Sequence, residues 1–277
     1  MPQFLSSTDG TKLHYTDDGG SGRPLVLIHG WPLSGEMFAP NLPTLRAAGY
    51  RVITYDRRGF GRSDKPESGY EYDTMTADLN DLLVKLDLRG VVLLGFSMGG
   101  GEVARYCGRY GTKRLAGVVL SGSICPALCI SPDNPDGAMP LGAFRDMALA
   151  CQRDHAGFLD QFVTWFYSNN EGLCVDEETR KQGLAIALQS DPNAAVQTIL
   201  SWATDLRAEC SAIDVPVLLI HGDGDQNVPI DKSSRRAEQV IPNAQLVVIP
   251  GGPHGVNVSH REQWESALQQ FLTKNQL

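Results

Sequence analysis

Three residue types that together can activate a serine for attack on a carbonyl occur in this sequence at Ser97, Asp225 and His254. Ser97 sits in Gly95-Phe96-Ser97-Met98-Gly99, directly after the apolar run Val91-Val92-Leu93-Leu94. A strand that turns abruptly into a helix forces the serine into a strained backbone conformation, and only small residues fit beside it. The motif gains weight from its context, an apolar strand before it and a helical pattern from Gly100 to Tyr110 after it. The bland alternative is a glycine-rich turn closing a strand. A serine hydroxyl is a weak nucleophile at neutral pH, so a base must take its proton and a third group must hold that base. The chemistry this predicts is acyl transfer.

The partners are expected downstream in the order acid, then histidine, each in a loop after a strand. Val215 to His221 reads as an apolar strand, and the following Gly222-Asp223-Gly224-Asp225 offers two aspartates. Asp225 is the choice for the acid; if Asp223 took that role, Asp225 would be a turn residue between loop neighbours. Gln245 to Ile249 runs into Pro250-Gly251-Gly252-Pro253-His254-Gly255, a turn-rich loop that presents His254 as the base. His29 and His221 end apolar strands and read as rings satisfying backbone groups, His14 and His155 as surface or packing residues, and His260 as a capping or solvated side chain.

Negative charge developing on a carbonyl oxygen calls for two backbone N–H donors. Met98 supplies one, because the first N–H groups of a helix lack an intrahelical partner and the helix dipole adds to their pull. Trp31 supplies the other, at the break that ends the apolar run Pro24-Leu25-Val26-Leu27-Ile28-His29-Gly30. Pro32 restricts Trp31, which aims the Trp31 carbonyl inward, where it could hold a peroxide attacking the acyl-enzyme. A plain turn proline is the alternative.

The elements that position these residues alternate strand and helix, the pattern of an α/β fold with a mostly parallel sheet and helices on both faces. Strands are predicted over 12–17, 25–29, 51–55, 91–96, 115–121, 215–221 and 245–249, with a further short one at the start of the chain. Helices are predicted over 73–86 and 261–272; the second carries Trp264, Ala267, Leu268, Phe271 and Leu272 as an apolar stripe. From about Ile124 to Cys210 no strand pattern occurs, and helical segments are separated by Pro132, Asn134, Pro135, Gly157 and Asp191-Pro192. This stretch reads as a helical cap of residues 124–210 inserted after strand 6 of an eight-stranded core formed by 1–123 and 211–277, one catalytic unit. It would cover the carboxyl ends of the strands. Among its aromatics Phe158, Phe162, Trp165, Phe166 and Tyr167, one or two are expected to touch substrate.

His29-Gly30-Trp31-Pro32, Asp56-Arg57-Arg58-Gly59-Phe60-Gly61-Arg62-Ser63, Gly95 to Arg105, and His221-Gly222-Asp223-Gly224-Asp225 are similar to the α/β-hydrolase superfamily. The run from Gly95 to Tyr106 more narrowly resembles the cofactor-free, non-haem haloperoxidase and arylesterase group, and the likeness extends essentially end to end. The resemblance implies an α/β-hydrolase fold, the acid at Asp225 from His-Gly-x-x-Asp, and the base at His254 from Pro-His-Gly. It implies substrate contact from Phe162 and Phe166, which join Pro32, placed in the pocket by its restriction of Trp31. It further implies hydrolysis of small or aromatic esters and peracid formation from a carboxylic acid and hydrogen peroxide, with no metal and no cofactor.

Ser97 argues against relatives of other chemistry: a dehalogenase or epoxide hydrolase needs aspartate there and a dienelactone hydrolase needs cysteine. An amidase or lactamase using the same three residues stays open, and a small-molecule receptor on a hydrolase scaffold is a more distant alternative. With 277 residues, 42% of them hydrophobic, the chain can bury a full core. A net charge of −8 argues against nucleic acid and anionic membranes as partners. Arg57-Arg58, with Arg62 nearby, reads as a cluster that ties loops through ion pairs. The start of the chain carries no apolar leader, which makes the cytoplasm the default location. The six cysteines lack Cys-x-x-Cys spacing and read as reduced packing residues, Cys125 and Cys129 being the pair to watch. Apolar faces on cap helices leave homo-oligomerisation open.

Overall fold

A computed structural model describes residues 2–277. Its centre is an eight-stranded sheet. The strands are β1 (Gln3–Leu5), β2 (Lys12–Asp17), β3 (Pro24–Ile28), β4 (Arg51–Tyr55), β5 (Val91–Phe96), β6 (Leu115–Ser121), β7 (Val217–Gly222) and β8 (Ala244–Ile249). They run in the order β1-β2-β4-β3-β5-β6-β7-β8, with β2 antiparallel to its neighbours and β4 through β8 parallel. β5 and β7 are buried along their whole length, which is why they read as unbroken apolar runs and not as alternating patterns. The observed β7 starts at Val217, two residues later than the sequence pattern suggests, because Pro216 has no N–H to place in the ladder. β3 stops at Ile28 and not at His29, whose carbonyl and ring are taken by Arg57.

The helices of the core are α1 (Leu42–Ala47), α2 (Tyr72–Lys85) and α3 (Met98–Tyr110). The connection β3-α1-β4 crosses the sheet one way, while β4-α2-β5 and β5-α3-β6 cross it the other way. With the right-handed crossovers that parallel strands adopt, α1 therefore lies on the opposite face from α2 and α3. This reversal between β3 and β5 opens a crevice at the carboxyl ends of those two strands, the place where open α/β sheets bind ligands.

Between β6 and β7 the chain forms α4 (Leu141–Arg153), α5 (His155–Phe166), α6 (Glu177–Ala187), α7 (Pro192–Ser201) and α8 (Arg207–Ser211). The aspartates Asp154, Asp176 and Asp191 cap α5, α6 and α7, each accepting from a first-turn N–H. Gly157, expected as a separator, instead lies inside α5; the break is Asp154, whose carboxylate accepts the Gly157 N–H at 2.9 Å. The stretch also holds two pairs of two-residue strands that the sequence pattern did not announce, Cys129–Ile130 with Met139–Pro140 and Ser168–Asn169 with Gly172–Leu173. Pieces this short carry no readable alternation.

After β7 come α9 (Ser234–Val240), α10 (Val256–Ser259) and α11 (Arg261–Lys274). The expected apolar stripe of α11 is buried, and the Trp264 indole donates to Ser121 Oγ at 2.9 Å. His260 stands at the N-cap of α11 without a capping hydrogen bond; its ring pairs with Ser259 Oγ at 3.0 Å. Among the described residues all six cysteines are free thiols, and no helix is long and apolar enough to cross a membrane.

Candidate active site

Ser97 lies between the end of β5 and the start of α3 with φ 54° and ψ −118°, a left-handed conformation that a non-glycine residue adopts only when its surroundings impose it. The imposition comes from packing. A Cβ at position 99 would lie 2.5 Å from the Ile28 carbonyl oxygen and 2.8 Å from that of His29, so β3 and the first turn of α3 meet only because Gly99 has no side chain. The elbow therefore locks the serine beside the Gly30-Trp31 turn.

His254 joins Ser97 from the loop after β8. The His254 Nδ1 atom is 2.6 Å from Asp225 Oδ2, and Nε2 is 2.9 Å from Ser97 Oγ. A carboxylate only accepts, so Nδ1 carries the proton and Nε2 is left to accept from the serine hydroxyl. Ser97, His254 and Asp225 are all buried. The histidine ring is held edge-on between Phe96 and Phe166, with centroids 5.4 and 5.1 Å away.

Asp225 has its acceptor positions filled. Oδ2 also takes the His221 Nε2–H at 3.0 Å, while Oδ1 takes the N–H groups of Asn227 and Val228 at 2.9 and 2.8 Å. Burial pushes the carboxyl up, but the His254 and His221 rings and their hydrogen bonds more than offset this and hold it well below the usual carboxylate range. Asp223, the rival aspartate, is exposed and accepts the Gly251 N–H at 2.6 Å, which braces one loop against the other.

His221 does more than satisfy backbone groups. Its Nε2–H is shared between Asp225 Oδ2 and the Val228 carbonyl at 2.9 Å, and its Nδ1 accepts from Ser234 Oγ at 2.7 Å. Its role was illegible in the sequence because Ser234 and Val228 reach it only through the turn of the loop.

The N–H groups of Met98 and Trp31 are the two candidate donors to a carbonyl oxygen at Ser97. Met98 is the first residue of α3, where helical N–H groups are free. Among the described residues the Trp31 N–H makes no hydrogen bond, and its indole Nε1–H is anchored on the Ala195 carbonyl at 3.1 Å. The serine hydroxyl, a neutral imidazole and these donors can together form and cleave an acyl-enzyme.

A match to the α/β hydrolase fold spans residues 23–260. The chain belongs to the α/β-hydrolase family. It is 40% identical over 278 residues to the non-heme chloroperoxidase CPO-A1 of Kitasatospora aureofaciens, covering 99% of this chain and 100% of that one. It is 30% identical to a bifunctional esterase/perhydrolase of Acinetobacter calcoaceticus over 97% of this chain and 99% of the relative. The crystal structure of a bromoperoxidase from Bacillus anthracis superimposes with a TM-score of 0.92 at 42% identity, covering 98% and 99% of the two chains.

In this hydrolase a cavity of about 400 Å³ opens above Ser97 and His254. Helix α5 contributes Phe158, Phe162 and Trp165, an i, i+4, i+7 stripe. Phe162 and Trp202 meet the Trp31 ring edge-to-face at 4.7 and 5.0 Å. Phe144, Met147, Ile124 and Leu128 add to the apolar wall. Two residues expected to touch substrate are placed elsewhere. Phe166 is turned out of the cavity lining onto Phe96 and His254, and its carbonyl accepts the Gly255 N–H at 2.6 Å. Pro32 is buried, is joined to Trp31 by a cis peptide and does not line the cavity. Trp202, just past the end of α7, and Met147 on α4 were missed, since neither sits in a motif.

The Arg57-Arg58 pair lies in the loop after β4 and ties elements together through ion pairs, with both side chains buried. Arg57 Nε lies 2.9 Å from Glu102 Oε2, and Tyr55 Oη donates to Glu102 Oε1 at 2.6 Å. Arg58 pairs with Asp78 at 2.7 Å and Asp9 at 2.8 Å. Burial raises the Glu102 carboxyl, with Arg57 opposing it. Among the described residues no group of three or more His, Cys, Asp or Glu side chains is arranged to hold a metal ion.

Proposed function

We propose that the chain is a serine carboxylic-ester hydrolase for small or aromatic esters, and that hydrogen peroxide can replace water as the attacker of its acyl-enzyme. Ser97 is the nucleophile, His254 the general base and Asp225 the acid that holds it; Met98 and Trp31 form the oxyanion hole. The observation that carries the reading is the hydrogen-bonded chain Asp225–His254–Ser97, at 2.6 and 2.9 Å, beneath an aromatic cavity. Its kinship with proteins named non-heme chloroperoxidase and esterase/perhydrolase supports the same reading.

Ser97 Oγ attacks the acyl carbon as its proton passes to His254 Nε2, and the Met98 and Trp31 N–H groups take the oxyanion. One such donor is worth roughly 3 to 4 kcal/mol of barrier. Asp225 stabilises the imidazolium, which then protonates the leaving alcohol as the ester C–O bond breaks. Water or hydrogen peroxide next gives a proton to His254 and adds to the acyl carbon; collapse returns the serine and releases an acid or a peracid. We read residues 124–210 as a cap that forms the aromatic roof over a core of 1–123 and 211–277, the whole acting as one catalytic unit.

The test is p-nitrophenyl acetate hydrolysis and monochlorodimedone halogenation in acetate, bromide and peroxide, by the wild type and by Ser97→Ala. Loss of both by roughly a thousandfold or more is expected. Ester hydrolysis that survives in Ser97→Ala overturns the assignment.

A further inference from the structure

The mouth of the cavity differs chemically from its floor. Of the lining residues, Asp146, Ala150, Trp165 and Gln226 are exposed, and they mark the opening; Trp31, Ser97, Phe144 and His254 are buried below. Apart from the His254 imidazole on the floor, Asp146 is the only ionisable acid or base in the lining. Its carboxylate has no hydrogen bond or ion pair among the described residues, whereas the Gln226 amide at the same mouth donates to Asn170 Oδ1 at 3.2 Å. Arg145, one residue back on α4, projects roughly 100° away around the helix and does not line the cavity. Trp165, 48% exposed, presents an indole at the same opening.

We propose that Asp146 and Trp165 make this mouth a binding site for a positively charged alcohol half of the ester, an alkylammonium group above all. The inference rests on the esterase reading and adds the substrate class. In acyl transfer the alcohol departs first while the acyl group stays on Ser97, so the alcohol half is the part that faces the exit. A carboxylate and an aromatic face are the two groups that attract an alkylammonium ion, and both stand here without another cation to satisfy them. The mouth also leaves the cation partly hydrated, which avoids the large cost of burying it. The net charge of −8 draws cations toward the protein from farther out. The same carboxylate opposes esters that carry a negative charge at that end.

The experiment compares kcat/KM for acetylcholine, for its neutral isostere with a quaternary carbon in place of nitrogen, and for an acetate ester ending in a sulfonate. In Asp146→Asn the cationic-to-neutral ratio should fall about threefold and the anionic-to-neutral ratio should rise, the scale of one exposed charge pair. High salt should move the wild-type ratios the same way. Choline binding, followed by calorimetry, should weaken by about the same factor in Asp146→Asn, and this readout needs no turnover. Ratios and choline affinity that are unchanged in the variant overturn the site, as does a wild type that hydrolyses the neutral isostere but not acetylcholine. Failure of the esterase reading is separate: it appears as wild-type ester hydrolysis that persists in Ser97→Ala.

Discussion

The floor of the cavity and its roof are held by different forces. On the floor, Ser97, His254 and Asp225 are fixed by directional hydrogen bonds of 2.6 to 3.0 Å, and behind them the Arg57–Glu102 pair is buried with both charges satisfied. In the roof, Phe158, Phe162 and Trp202 meet Trp31 through ring contacts with centroids 4.7 to 6.1 Å apart. Hydrogen bonds and ion pairs fail when one partner is displaced, whereas apolar contacts tolerate a change of shape at modest cost. Floor substitutions should therefore abolish chemistry or folding, and roof substitutions should retune which ester fits.

The comparison can be broken in four places. Asp225→Asn should lower kcat by about ten-thousandfold with little change in KM, because the amide favours the wrong His254 tautomer; single-turnover kinetics would show whether acylation is the step lost. Glu102→Ala leaves the Arg57 guanidinium buried without its partner, and urea unfolding should show a loss of about 3 to 5 kcal/mol; a loss under 1 kcal/mol would mean the pair contributes little to the floor.

Acid sensitivity sharpens the same point. Asp225 is held below its unfolded-state value, so its contribution is complete above the ordinary carboxylate range and is lost as pH falls toward the folded-state value. Wild-type stability should thus drop below about pH 4 more steeply than that of Asp225→Asn, by a difference on the order of 2 kcal/mol. Parallel curves from urea titrations at each pH would show that the carboxylate is not stabilising. The smallest effect belongs to the roof. Phe162→Ala should change the ratio of kcat/KM for aromatic over acetyl esters by about tenfold while p-nitrophenyl acetate turnover stays within the same order. A fall in kcat matching that of Asp225→Asn would erase the distinction between roof and floor.

The roof was also the harder half to read. Gly95-Phe96-Ser97-Met98-Gly99 and the two turn-rich loops advertise themselves because tight turns demand particular residues at particular places. An amphipathic helix such as α5 announces only that one face is covered. Phe162 and Phe166 are one turn apart, yet the first lines the cavity and the second braces His254. Gly255 permits that brace: a Cβ there would lie 2.5 Å from the Phe166 ring. Trp202 reaches the same cavity from beyond the end of α7, a contact with no sequence signature.

The sequence by itself determined the alternation of strands and helices, the strained serine and the loops that carry Asp225 and His254, because these follow from backbone sterics and local periodicity. Only the tertiary structure put Asp225, and not Asp223, against the His254 ring, turned Phe166 away from the cavity, buried Arg57 against Glu102 and brought the His221 ring onto Asp225. The first three bring together groups from distant parts of the chain once the sheet is formed, and a contact made across 45 residues, as between Arg57 and Glu102, leaves no local pattern to read; His221 and Asp225 are only four residues apart, and the turn of their loop decides that the two side chains meet.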